Sequence, residues 1–270
     1  MKSDQATAER NRASGTGRLK PSAPVLFLYN LLFWPYLLVS CAILFVPALL
    51  IWLATFFWDR KLRALAWYTS LWGAHYLAWA PLAGVTVEGI ERAPLGKPCV
   101  YVSNHQSMVD ILAIFATRIP FKWVSKVENF YAPFLGWNMV LNRYVALKRG
   151  HLPSIMRMVR RCNAVLRGGE SLFVFPEGTR SPDGNLLPFY RGAFRIAARN
   201  RVPIVPLLLV GTGDVLPKGR FQIIPRHVRV RILDPIDPAS VGNDHKRLHD
   251  AVRARMIEEQ ARMREQGLSH

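Results

Sequence analysis

Hydrophobic and polar positions fall along this chain in three textures. Residues 1–24 are polar, small and basic, which predicts a disordered arm. The pattern then changes abruptly. From Val25 to Trp58 there are 34 residues without one charge, "VLFLYNLLFWPYLLVSCAILFVPALLIWLATFFW". As one straight helix this run would be about 51 Å long, well beyond the roughly 30 Å hydrocarbon core of a bilayer. It is therefore expected to tilt strongly, break or turn back, and Pro35 and Pro47 supply breaks. Arg10, Arg12, Arg18 and Lys20 precede it, and Arg60, Lys61 and Arg63 follow. Basic flanks at both ends predict a membrane-embedded helical hairpin over 25–63, returning to the cytoplasmic face. With arms of about 17 residues, two full spans and a hairpin confined to one leaflet are both open.

Over 64–84 the chain places Trp67, Trp72, Tyr76 and Trp79 at spacings of five, four and three. Such aromatics suit a helix at the bilayer interface, the alternative being an ordinary buried helix with His75 packed inside it. From Val85 the texture becomes that of an α/β domain, expected over 85–240. Seven short apolar runs, "VTVEG", "CVYVS", "FKWVS", "YVALK", "SLFVF", "VPIVPLLLV" and "VRVRIL", alternate with helix-length stretches and predict a mixed sheet flanked by helices. Residues 152–167 set Ile155, Met158, Val159, Cys162, Val165 and Leu166 on one side, with Arg157, Arg160, Arg161 and Arg167 elsewhere. That is an amphipathic helix with a basic outer face. A second amphipathic helix, nearly charge-balanced, is expected over 241–270.

Composition adds a constraint. Half of the residues are hydrophobic, enough for a sizeable core, and the net charge is +18. Residues 64–240 alone hold 22 Lys/Arg against 10 Asp/Glu, a surplus of 12, so the body is basic and not merely its arm. Anionic partners follow: nucleic acid, a phospholipid surface, phosphorylated substrates or an acidic carrier protein. Cys41, Cys99 and Cys162 are an odd three without C-x-x-C spacing, which points to a reduced compartment. "LVSC", Leu38 to Cys41, has the form of a lipoprotein cleavage box, but the apolar run continues well past the cysteine.

Two stretches carry candidate chemistry. In "NHQSMVD", Ser107 and Asp110 fit an S-x-x-D capping box ahead of "ILAIF", a reading in which Asp110 only binds backbone amides. The other reading uses His105, which lies before the cap and can fold back over the first turn. There Asp110 would orient the imidazole and stabilise its charged form, leaving the second ring nitrogen to take a proton from a hydroxyl. In "SLFVFPEGTRS", an apolar strand delivers Glu177, Gly178 and Arg180 at its carboxyl end, where open α/β sheets place ligands. Gly178 permits a close approach or positive φ, and Arg180 offers a planar fork for phosphate. The plainer alternative is a turn in which Glu177 and Arg180 pair.

Together "NHQSMVD" and "FPEGTRS" resemble the signatures N-H-x-x-x-x-D and F-P-E-G-T-R-S of the glycerolipid acyltransferase family, most closely its 1-acyl-sn-glycerol-3-phosphate acyltransferases. "SKVENFYAPFLGWNMVLNRYVALKR" resembles that family's second block, with Lys126, Glu128, Pro133, Gly136 and Arg149 in place, and "VPIVPLLL" resembles its fourth. The likeness covers about Val85 to Leu233. It departs at Arg143, where a glycine is usual, and at Lys148, where an acidic residue is usual.

The resemblance implies an acyltransferase that moves an acyl chain from a thioester to the sn-2 hydroxyl of lysophosphatidic acid. His105 would be the base and Asp110 its partner. Arg180, with Arg149 and Lys126, would bind the glycerol phosphate, on a loop shaped by Glu177, Gly178 and Thr179. Asn104 and the backbone amides of the helix start would either orient the His turn or stabilise the oxyanion. No bound cofactor or metal is implied; acyl-CoA or acyl-carrier protein is the co-substrate. The expected partners are that donor, a lysophospholipid acceptor and an anionic bilayer at the cytoplasmic face of the inner membrane, and not nucleic acid. Another lysolipid, such as lyso-ornithine lipid, is the alternative acceptor. A non-catalytic anionic-lipid-binding protein would explain charge and hairpin, but gives no reason for His105 and Glu177 at the ends of separate strands. A metal-dependent phosphodiesterase would need a cluster of carboxylates or histidines. His245 and His249 lack the glutamate of H-E-x-x-H and read as a solvated face.

Overall fold

The computed structural model describes residues 22–78 and 84–268. The basic arm over 1–21, together with Trp79 and its neighbours to residue 83, lies outside the described residues. Among the described residues, the seven apolar runs form one sheet. Its strands are β1 (Val85–Glu88), β2 (Val100–Ser103), β3 (Lys122–Lys126), β4 (Val145–Leu147), β5 (Leu172–Val174), β6 (Ile204–Val210) and β7 (Val228–Ile232). Their order is β1-β7-β6-β2-β5-β3-β4. All neighbours are parallel except β6 and β7, so β1 and β7 run against the other five and the sheet is mixed, as expected. Every residue of β6 is buried, which is why "VPIVPLLLV" reads as an unbroken apolar run rather than an alternation.

Alternation along the strands divides the core between two faces. Tyr101 of β2 joins Ala113 and Ile114 of α3 (Val109–Ala116), with Phe33 and Leu77 from the N-terminal helices. Val100 and Val102 point the other way. There they meet Cys162 and Leu166 of α5 (Leu152–Arg167), Phe194 and Ala197 of α6 (Gly192–Asn200), and Leu248, Val252 and Met256 of α8 (His245–Glu265). The C-terminal helix thus completes the domain's core instead of standing off from it. The short α4 (Leu135–Leu141) follows β3, and α7 (Thr212–Val215) follows β6.

The apolar run departs from expectation. It forms one helix, α1 (Ala23–Thr55), which continues through both Pro35 and Pro47. Each proline removes one backbone donor, a smaller loss than breaking the helix, which would free several backbone groups at once. The chain turns instead at residues 56–62, and α2 (Arg63–Ala78) returns antiparallel to α1. Ser40 Oγ lies 2.9 Å from Tyr76 Oη, and Tyr68 Oη donates to Leu44 O at 2.9 Å. The hairpin therefore consists of α1 and α2, not of two halves of the apolar run. Trp72 and Tyr76 are buried against α1, whereas Trp67 faces outward. Nearer its start, α1 is held by Asn30, whose amide donates to Ile223 O and accepts from Ile223 N.

Candidate active site

Four adjacent parallel strands, β2, β5, β3 and β4, open their carboxyl ends on one edge of the sheet. His105 follows β2, the segment 175–181 follows β5, Lys126 ends β3 and Arg149 follows β4. Residues from His105 to Ser181 thus share one edge because of strand order alone.

In the turn after β2, Asp110 binds backbone amides and the His105 ring at once, so the reading in which it binds amides only does not hold. Asp110, fully buried in the first turn of α3, accepts three hydrogen bonds on a single oxygen, Oδ2. These come from His105 Nδ1 at 2.7 Å, Gln106 N at 2.6 Å and Ser107 N at 2.9 Å. Two of the bonds close the helix start and the third fixes the imidazole. Nδ1 therefore carries the proton, and Nε2, which has no partner among the described residues, is left as an acceptor. Phe175 holds the ring plane by stacking on His105 at 4.0 Å between centroids and 14° between planes. Ser181 N donates to His105 O at 2.7 Å, so the second motif also pins the backbone of the first.

Asn104 faces away from this edge. Its Nδ2 donates to Leu209 O at 2.9 Å and its Oδ1 accepts from Leu209 N at 2.8 Å, which ties β2 to β6. The amides of Gln106 and Ser107 are already taken by Asp110. Asn104 and these two amides accordingly orient the His turn and are not free to meet an oxyanion.

Glu177 is almost fully buried, and neither carboxyl oxygen has a hydrogen-bond partner. Burial pushes its pKa up to about 8; the nearby backbone amides of His105 and Leu187 pull it down, and the Asp110 charge adds to the rise. With no ion pair to Arg180, the alternative of a turn closed by a Glu177–Arg180 pair is not the arrangement found, and the high pKa leaves the side chain protonated at neutral pH. Gly178 has φ +66°, and a Cβ there would lie 2.8 Å from the Tyr190 ring and 3.7 Å from Arg149 Cζ. Only glycine fits. The same contact sets the Arg149 guanidinium beside the Gly178 loop, with exposed Thr179 between Gly178 and Arg180.

Among the described residues neither Arg149 nor Arg180 has an ion-pair partner. Lys126 is half exposed and pairs with Glu128 at 3.4 Å. The sequence reading missed Lys218, whose Nζ donates to Arg180 O at 2.9 Å, and it missed Phe175 and Ser181. Phe175 carried one signal, an aromatic ring just before the strand-end "PEG"; Lys218, 38 residues from its contact, carried none. Arg143 sits at φ +56°, a left-handed position that accounts for glycine being usual there. His249 is packed against Phe189 and Phe194 and bonds Asp250 and the Phe189 carbonyl, so it does not lie on a solvated face as expected. Among the described residues no three His, Cys, Asp or Glu side chains group closely enough to hold a metal.

Comparison with known proteins agrees with this geometry. The pattern of the family described as Acyltransferase matches residues 84–210, which contain β1 to β6 and both motifs. A chloroplastic 1-acyl-sn-glycerol-3-phosphate acyltransferase of Brassica napus is 43% identical over 171 residues, 60% of this chain and 50% of that protein. The chain thus spans about half the length of such relatives. A putative 1-acyl-sn-glycerol-3-phosphate acyltransferase of Caenorhabditis elegans is 32% identical over 189 residues, 67% of each chain. The crystal structure of the 1-acyl-sn-glycerophosphate acyltransferase of Thermotoga maritima superposes with a TM-score of 0.74 at 28% identity, covering 87% of this chain and 95% of that one. With two thirds of the Caenorhabditis elegans relative matched at 32% identity, and the matched family pattern ending in the strand that Asn104 ties to the His turn, the chain belongs to the acyltransferase family.

Proposed function

We infer that this protein transfers an acyl chain from a thioester to the sn-2 hydroxyl of lysophosphatidic acid, giving phosphatidic acid. The observation that carries this reading is the oriented His105–Asp110 pair with an open Nε2, on the same sheet edge as two arginines without ion-pair partners.

In the reaction, His105 Nε2 takes the proton of the acceptor hydroxyl as its oxygen attacks the thioester carbonyl. Asp110 Oδ2, bonded to Nδ1–H, stabilises the imidazolium so formed. On collapse the C–S bond breaks, the ester C–O bond remains, and the leaving thiolate takes the proton from Nε2. Arg180 and Arg149 suit the phosphate monoester, and a neutral Glu177 beside Gly178 adds no charge to repel it. Lys126 and Lys218 enlarge the positive field along that edge.

Attachment to the membrane is read from α1. Its inner side packs on the body from Asn30 to Trp52, while Leu28, Leu31, Leu38, Ile43, Val46 and Leu50 form an exposed apolar stripe. A helix held along roughly 33 Å of its length, at 1.5 Å per residue, cannot cross the bilayer upright without taking the domain with it. The stripe suits a helix lying obliquely in one leaflet, with the basic body on the cytoplasmic face.

The test is acyl transfer by the full chain in lipid nanodiscs. His105→Ala is expected to lower kcat by about 100-fold or more, the usual worth of a general base. Near-normal turnover by His105→Ala would sink the mechanism. Arg180→Ala should lower kcat/KM for lysophosphatidic acid by roughly 10- to 100-fold, with Arg180→Lys recovering part of it. A native enzyme that prefers lyso-ornithine lipid, or an Arg180→Ala effect equal on both acceptors, rules out the phosphate assignment and leaves acyl transfer standing.

A further inference from the structure

On the face of the sheet opposite α1, α5 and α6 lie side by side, joined by an Asn200 Nδ2 to Asn163 Oδ1 hydrogen bond of 2.7 Å. α5 exposes Arg157, Arg160, Arg161 and Arg167 to solvent. α6 with its two flanking residues exposes Arg191, Arg195, Arg199 and Arg201. Neither helix contains an acidic residue, and among the described residues none of these arginines has an ion-pair partner. Eight like charges on two packed helices repel one another. The patch is suited to an external anion.

Three anions can be compared by size and place. α5 alone is about 24 Å long at 1.5 Å per residue, so one coenzyme molecule's phosphates meet only a few of these side chains. A bilayer engaged by the outer stripe of α1 lies on the other side of the sheet. An acidic macromolecule in solution suffers from neither difficulty.

Where the helices begin says what that macromolecule would bring. α5 starts just after Arg149, and α6 starts just after Tyr190, whose N–H bonds Pro176 O at 2.8 Å and whose ring lies over Gly178. Both starts therefore stand at the edge that holds His105. Both also carry exposed apolar side chains: Leu152 is 67%, Met156 56% and Tyr190 70% exposed. Apolar and aromatic anchors among arginines, spread along two helices, are the composition of a protein interface.

We propose that the α5–α6 face docks a small, strongly acidic protein that presents the acyl chain as a thioester on a flexible arm, the acyl-carrier form of the donor. The arm reaches His105 from the Leu152–Tyr190 end. The bonds made and broken are those of the transfer already described, with the arm's thiol as leaving group. The assignment rests on the acyl-transfer reading and names its donor.

The experiment uses the full chain in nanodiscs, native and with R157E/R160E/R195E/R199E, with R157Q/R195Q as a milder variant in case the fourfold reversal misfolds. kcat/KM is measured with hexadecanoyl acyl-carrier protein and with hexadecanoyl-CoA on the same acceptor, and carrier binding is followed by fluorescence anisotropy. The fourfold variant should lose about 30-fold or more with the carrier-bound donor while the coenzyme A value stays within about threefold, since reversal turns several attractions into repulsions. The milder variant should lose less, on the same donor only. For the native enzyme the carrier-bound rate should fall steeply between about 0.05 and 0.5 M salt. Equal losses on both donors, an unchanged carrier-bound rate, or weaker binding to anionic vesicles in place of weaker donor use would each overturn the assignment. A native enzyme that uses only acyl-CoA overturns it while acyl transfer stands; no transfer from either donor removes both.

Discussion

A single carboxylate oxygen, Asp110 Oδ2, closes the first turn of α3 and holds His105, so imidazole orientation and helix capping are one set of bonds. Glu177, a short step away, has the opposite character, being buried, unpartnered and held protonated up to about pH 8. Its effect on stability has a definite sign. In the unfolded chain a glutamate ionises near pH 4.3, whereas in the fold it keeps its proton to about 8, so the folded state binds more protons between those values and stability falls as pH rises through that window. Below it there is no penalty; above it the penalty is constant. Glu177→Gln removes the ionisable group. We expect the variant to match the native protein near pH 4 and to exceed it by a few kcal/mol near pH 8, at about 1.4 kcal/mol per pKa unit. Denaturant unfolding across pH 4 to 9 measures the gap. A gap independent of pH would show that Glu177 is not the buried neutral acid.

At the scale of elements, α1 is apolar all round yet has two different sides. Ala48, fully buried, packs on the α2 side, while Ile43 and Leu50 are exposed. A lysine at Ala48 would bury an unpaired charge, which costs several kcal/mol, and is expected to abolish folding. Ile43→Lys with Leu50→Lys should leave the fold intact, since neither side chain contributes to the core, but should move the protein from a detergent-requiring to a carbonate-extractable fraction. Sedimentation of membranes after carbonate and after high salt separates the cases. Retention of the double lysine variant would mean that the outer stripe does not hold the bilayer.

The whole molecule keeps its surfaces apart by means of the sheet. One face carries α3 and the α1–α2 hairpin, the other carries α5, α6 and α8, and the carboxyl edge between them holds His105, Glu177, Arg149 and Arg180. The edge strand β1 is tied in by charge: Arg231 of β7 bonds both Glu88 of β1 and Glu259 of α8.

The seven strands were legible in the sequence because each is a short apolar run bounded by breakers, a local property. The amphipathic α5 was legible for the same reason, as were the two motifs, since the Ser107–Asp110 cap and the strand-end "FPEG" are contiguous. Sequence could not choose between cap and catalytic partner at Asp110, because the choice depends on where the His105 ring folds, and Phe175 and Ser181 from 70 or more residues away decide that. It placed the hairpin turn inside the apolar run, because prolines break isolated helices; contacts from α2 and the Ile223 loop brace this one, which stays continuous. Strand order, which puts β5 between β2 and β3, exists only in three dimensions. It is what brings Arg149 beside Gly178, Lys218 to Arg180 and eight arginines onto one face, for pairing between distant strands is settled by the packing of the whole core and leaves no mark at any single position.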